Sequence, residues 1–144
     1  HDLWAGVVTG TVDDLVLRRG DGVVAYNLAV VVDDAAAGVD QVVRADDLLS
    51  SAPRQAHLAQ LLGLPEPSYA HVPLAVNSAG ARLAKRDGAV TLRDRLERGE
   101  SVREVVGRIG DSLGLPGCRA AADVLERWDP AASPRHPWVV ELPD

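Results

Sequence analysis

An α/β fold with parallel strands, followed by a small helical segment, is the architecture this sequence predicts. Three observations carry it. Short valine-rich apolar runs alternate with helical stretches of about 10–15 residues, the pattern of strand–helix–strand units. From Thr91 onward that alternation stops and helix-capping signals take over. The 144 residues, 47% hydrophobic, suffice for a buried core, which must be built from Val, Leu and Ala because Phe and Met are absent.

Taken in order, residues 1–10 are weakly apolar and lead into a short strand over 15–19. Gly20-Asp21-Gly22 is a tight-turn signal between two apolar runs, so 15–19 and 23–28 read as a hairpin. Residues 25–32 are almost continuously apolar, and such a run fits a buried strand or a buried helix equally. The division adopted is strand to about Leu28 and helix over 29–37, with Gly38 where a C-terminal cap falls. V-D-Q-V-V-R, 39–44, is the next strand; Asp46 and Asp47 stand ready to cap a helix from Leu48 or Pro53 to Leu62. That helix places Leu58, Leu61 and Leu62 on one side and ends at Gly63. Pro65 and Pro67 mark a loop, and 69–76 is a strand. Thr91 caps a short helix over 92–98, Ser101 and Glu104 form a capping-box pair for 101–113, and 120–128 is a third helix. The tail, 129–144, holds four prolines and reads as mostly extended, with Trp138-Val139-Val140 packing back.

Composition excludes several classes. No run of about 18 apolar residues exists to span a membrane, and no signal-peptide pattern is present. One cysteine, Cys118, permits no internal disulfide and fits a reducing, cytoplasmic setting. A net charge of −6 argues against coating nucleic acid in bulk but leaves room for a local basic patch. A chain that begins at His1 and holds no Met reads as a fragment or a processed product.

Few residues present chemistry. His57, His71, His136 and Cys118 lack metal-ligand spacing, and no metal site is expected. Asp33-Asp34 is a candidate carboxylate pair, although helix solvation is the plainer account. Tyr26 carries a polar tip inside an apolar run, which suits either core packing or a site. Arg44 ends an apolar strand, where a guanidinium can clamp a carboxylate with two prongs or make a surface ion pair. The apolar run 71–76 breaks at Asn77-Ser78-Ala79-Gly80 and emerges as a basic loop with Arg82, Lys85 and Arg86. Lys85 is the only lysine among fifteen basic residues, and a compact ammonium is not interchangeable with a guanidinium. Beyond the carboxyl ends of parallel strands, such a loop suits a polyphosphate.

The order of segments L-R-R-G-D-G-V-V-A-Y-N-L-A-V-V-V-D-D, V-V-R, D-L-L-S-S-A-P-R-Q, Y-A-H-V-P-L and R-L-A-K-R-D-G resembles the glutamyl-tRNA synthetase group of class I aminoacyl-tRNA synthetases. It covers about Asp14 to Gly88, and R-R-x-D-G-x-x-A-Y-N-L-A-V-V-V-D-D is most similar to the glutamyl-Q branch. The resemblance implies the second half of a Rossmann-type catalytic domain over 1–88 and a helical C-terminal segment over 89–144. It implies activation of glutamate with ATP and Mg²⁺, then transfer to queuosine in the anticodon of tRNA(Asp), by a monomeric cytoplasmic enzyme. Tyr26 and Arg44 match the family's glutamate-holding tyrosine and arginine. Arg82, Leu83, Ala84, Lys85 and Arg86 match the KMSKS-type loop on ATP, Lys85 aligning with its second, catalytic lysine. Arg82 replaces the first lysine of that motif, Ala84 its serine, and Ala45 a glycine after V-V-R. The family's HIGH-type motif and zinc site have no counterpart in this chain, so the polypeptide alone is expected to show no glutamate-dependent ATP–pyrophosphate exchange. A corresponding part of an ordinary glutamyl-tRNA synthetase, and a non-catalytic remnant binding tRNA or a partner protein, are the rival expectations.

Overall fold

The structure, a computed structural model, describes residues 1–83 and 91–140. It forms two compact units, His1–Val72 and Pro73–Asp144.

In the first unit the turn at Gly22 (φ 86°) joins only a single antiparallel bridge, Arg18 to Val24. Helix α1 then runs from Tyr26 to Ala37, three residues earlier than the strand reading of 23–28 allowed. The cause is local. The last hairpin bond is Ala25 N–H to Leu17 O, and the Ala25 carbonyl then accepts from Leu28 and Ala29, closing the first helical turn. An unbroken apolar run carries no period to mark that switch, and Ala25 offers no capping side chain. The other end obeys the glycine signal: Gly38 is left-handed (φ 71°), and the Gly38 and Val39 N–H groups bond back to Ala35 and Asp34.

Strand β1 (Gln41–Ala45), a 3₁₀ turn (Asp46–Ser51), helix α2 (Ala52–Leu61) and strand β2 (Ser68–Val72) make a strand–helix–strand unit with β1 and β2 parallel. The buried stripe of α2 is Ala52, Gln55, Leu58 and Ala59. The expected apolar side fails at Leu61 and Leu62, which are exposed while the polar Gln55 is buried. Burying Leu58 contributes about 1.5–3 kcal/mol, and Ala59, Tyr69 and Ala70 complete this core. On its far edge β2 meets the N-terminus: Tyr69 N–H donates to His1 O, and Leu3 N–H to Tyr69 O. His1–Leu3 therefore runs as one rung of a parallel ladder beside β2.

The second unit pairs β3 (Ala75–Val76) in parallel with β4 (Trp138–Val139). The single strand expected over 69–76 is divided at Pro73, which has no N–H to give a ladder. Helices α3 (Leu92–Glu97), α4 (Val102–Ser112) and α5 (Ala121–Arg127) follow. Both predicted caps form complete capping boxes, Thr91 with Asp94 and Ser101 with Glu104. Glu100 accepts from Arg95 and Arg108. Gly110 lets α4 close on the buried Cys118, where an added Cβ would lie 2.8 Å from the Leu115 carbonyl oxygen. Strand β4 is followed by Val140, whose N–H donates to Val76 O at 2.8 Å. Among the described residues no helix is long and apolar enough to cross a membrane.

Candidate functional site

The register of β1 on β2 sets Arg44 directly opposite His71. Directly opposed residues of neighbouring strands project on the same face, and so does Tyr69, two residues before His71. The three side chains accordingly pack together. The Arg44 guanidinium lies 5.3 Å from the centre of the Tyr69 ring, and the Tyr69 and His71 rings stack at 5.9 Å and 19°. Arg44 Nε–H donates to His71 Nε2 at 2.9 Å, Nη1 to Gln55 Oε1 at 2.6 Å, and Nη2 to Leu48 O at 3.4 Å. Gln55 Nε2 in turn donates to Asn27 Oδ1 at 2.8 Å, tying α1 to the same set.

Behind His71 stands a carboxylate that sequence reasoning passed over. Asp2 is 1% exposed. Its Oδ1 accepts from the Trp4 and Ala5 N–H groups, and its Oδ2 accepts from His71 N–H and meets His71 Nδ1 at 2.7 Å. Burial pushes the Asp2 carboxyl up, but the bonds from Ala5, the His71 ring, Trp4 and the His71 backbone outweigh it and hold it below its ordinary value. Burial also raises the Tyr69 hydroxyl, against the pull of the Arg44 guanidinium. The result is one continuous relay, Asp2–His71–Arg44–Gln55–Asn27, with the guanidinium at its centre.

Arg44, Gln55, Tyr69 and Asp34 line a cleft of about 20 Å³ in this unit. That is room for a water-sized group, so the cleft admits the end of a ligand and not a whole amino acid. Tyr26 opens α1 with 55% of its surface exposed, and among the described residues it makes no hydrogen bond to Arg44. Its neighbour Asn27 is what reaches the Arg44 set. Asp33 and Asp34 follow on the same helix without bonding to each other.

The loop after β3 begins as an Asn77 turn: Asn77 Oδ1 accepts from Ala79 and Ala81, and Asn77 N–H returns to Ala81 O. Arg82 bridges back to Val76, and Leu83 lines a cavity of about 530 Å³ with Leu92, Val105, Ile109 and Trp138. Ala84, Lys85 and Arg86 lie outside the described residues. Among those that are described, no cluster of three or more His, Cys, Asp or Glu side chains is placed to hold a metal ion.

One missed residue had a weak signal: Y-A-H reads as a strand segment ending in His71, but only the register makes His71 the partner of Arg44. Asp2, Gln55 and Asn27 had none, since the bonds that define them span 69, 11 and 28 residues.

Known proteins match this chain closely. Residues 1–116 fit the family model of class I tRNA synthetases (E and Q), catalytic domain. The chain is 64% identical over 135 residues to the glutamyl-Q tRNA(Asp) synthetase of Nocardia farcinica, covering 94% of this chain and 43% of that protein. It is 58% identical to the Cutibacterium acnes protein of the same name, covering 80% of this chain and 33% of the relative. The chain therefore spans well under half the length of these relatives. Among solved structures, a glutamate-tRNA synthetase from Elizabethkingia anophelis superposes with a TM-score of 0.73 at 18% identity, covering 90% of this chain and 30% of that one, which speaks to the fold. With the family model matched over most of its residues, the chain belongs to the class I (E and Q) tRNA synthetase catalytic-domain family.

Proposed function

We propose that these residues belong to an ATP-dependent ligase that activates glutamate and transfers it to queuosine at the anticodon of tRNA(Asp). The observation that carries the proposal is the 64% identity, across 94% of this chain, to a protein named for that activity. Residues 1–88 form the second half of its Rossmann-type catalytic domain, and 89–144 a helical segment. The protein acts as a cytoplasmic monomer.

Arg44 takes a carboxylate of glutamate. A guanidinium offers five N–H donors in a rigid fork, and here three of its nitrogens are already aimed by neutral acceptors, His71, Gln55 and Leu48 O. None of those acceptors is charged, so the positive charge is left for the substrate. Tyr26, half-exposed at the start of α1, supplies a hydroxyl to the same amino acid. ATP, with Mg²⁺ on its phosphates, supplies the leaving group that turns the glutamate carboxylate into an activated acyl group. Lys85 neutralises charge on the departing pyrophosphate, with Arg82 and Arg86 in support and Leu83 and Ala84 shaping the loop. The described residues offer no carboxylate cluster for Mg²⁺, so none is assigned to it.

The test is transfer of labelled glutamate by the full-length protein to tRNA(Asp) with and without queuosine. Labelling confined to the queuosine-containing tRNA supports the proposal. Equal labelling of both rejects it in favour of ordinary glutamyl-tRNA synthesis.

A further inference from the structure

We infer that His71, fixed by Asp2 in one tautomer, is a positioning residue that aims Arg44 at the substrate carboxylate. The inference rests on the reading of Arg44 as the glutamate-binding group.

The hydrogen bonds leave one arrangement of protons. Arg44 Nε–H is always a donor, so His71 Nε2, at 2.9 Å, must be the acceptor and carry no proton. The ring proton then sits on Nδ1, and Asp2 Oδ2 at 2.7 Å receives it. Asp2 is itself held: four N–H groups converge on its two oxygens, from Trp4, Ala5, the His71 backbone and the His71 ring. Both side chains are 1% exposed, so no water competes for either ring nitrogen. The tautomer of a histidine is set by the bond its second nitrogen makes. Here that bond is buried, charge-assisted and supplied from a separate strand.

The consequence falls on Arg44. A neutral acceptor at Nε fixes the plane of the guanidinium without neutralising it. A second, Gln55 Oε1, fixes its rotation from the Nη1 side at 2.6 Å. Tyr69 supports the flat face at 5.3 Å. A carboxylate at the His71 position would hold the fork as firmly but consume its charge. A neutral imidazole presenting Nε2 does one without the other, and the buried Asp2 is what forces that nitrogen to face Arg44.

Two histidine replacements separate aiming from packing. In His71→Gln the side-chain amide reaches the Nε2 position and can still accept from Arg44 Nε–H, while the Asp2 bond is lost. In His71→Asn the shorter amide stands at the Nδ1 position and can still donate to Asp2, while the Arg44 bond is lost. Glutamate KM, ATP KM and thermal midpoint are measured on the full-length protein and both variants. The expected result is an inversion. His71→Asn keeps the higher thermal midpoint of the two, but its glutamate KM rises about 10- to 100-fold with ATP KM unchanged. His71→Gln is less stable, yet its glutamate KM stays within about threefold of wild type. If instead the glutamate KM follows the thermal midpoint, with His71→Asn closer to wild type, His71 serves the fold alone and the inference is overturned.

Should either variant fail to fold, the wild-type protein decides. Long-range ¹H–¹⁵N spectra must show His71 with a protonated Nδ1 and an unprotonated Nε2. The opposite tautomer, or a ring protonated on both nitrogens at neutral pH, overturns the inference. Arg44→Ala keeps the two questions apart. An unchanged glutamate KM in that variant rejects Arg44 as the glutamate ligand, whatever the histidine variants show.

Discussion

Replacing Gln55 by Glu changes one atom in the relay and tests whether the charge of Arg44 is reserved for a ligand. Gln55 is 2% exposed, accepts from Arg44 Nη1 at 2.6 Å and donates to Asn27 at 2.8 Å. In Gln55→Glu the oxygen facing Arg44 remains, and the Asn27 amide turns over to donate to the other oxygen, so the packing is retained. What changes is charge. The introduced carboxylate neutralises the guanidinium and repels a substrate carboxylate on its far edge, about 7 Å away, by roughly 2.4 kcal/mol at an effective dielectric of 20. Partial solvent access to Arg44 lowers this to about 2 kcal/mol, or roughly a 30-fold rise in glutamate KM. ATP–pyrophosphate exchange by the full-length protein at varied glutamate measures it, with ATP KM and thermal midpoint as controls. A glutamate KM within about twofold of wild type, in a variant that melts normally, refutes a carboxylate on Arg44.

Three further outcomes follow from the same structure. Ser101→Ala removes the cap of α4 and is expected to cost about 1 kcal/mol in thermal or urea unfolding, while Ser101→Thr is near neutral. Gly110→Ala gains up to about 1 kcal/mol of helix propensity but drives a methyl to 2.8 Å from the Leu115 carbonyl oxygen, for a net loss of roughly 1–2 kcal/mol by the same measurement. Asp2 carries a carboxyl held below its ordinary value, so its contribution to stability is complete above about pH 4 and disappears as pH falls through the lowered value. Unfolding followed between pH 6 and 2 should therefore show an acid limb that is shallower in Asp2→Asn; an equally steep limb in that variant assigns the effect to other carboxylates.

Local signals in the sequence proved sufficient where local chemistry decides the structure. Thr91 and Ser101 start their helices with complete capping boxes, and Gly38 ends α1 in the left-handed conformation. Each of these depends on four to six consecutive residues. The start of α1 did not yield in the same way, because 25–32 is apolar throughout and Ala25 presents no cap. The buried face of α2 was misread for a different reason. Gln55 is a polar residue that burial tolerates only because Arg44 and Asn27 satisfy it, and neither partner is near in sequence. Arg44 was singled out by its position at a strand end, and its role as glutamate ligand is a proposal. The His71 that aims it, and the Asp2 that orients His71, depend on strand register and on the chain returning beside β2 after 69 residues. Lys85 was legible as an oddity of composition, and its place in the site rests on resemblance.

A guanidinium aimed by His71 and Gln55 is proposed to bind a glutamate carboxylate. A crystal structure of the full-length protein with glutamate tests it most directly. A carboxylate oxygen of glutamate is expected within hydrogen-bonding distance of Arg44, with the bonds from Arg44 to His71 Nε2 and Gln55 Oε1 retained. Glutamate seated away from Arg44 would rule out Arg44 as its ligand, and a guanidinium that leaves His71 to reach it would rule out the aiming role of His71.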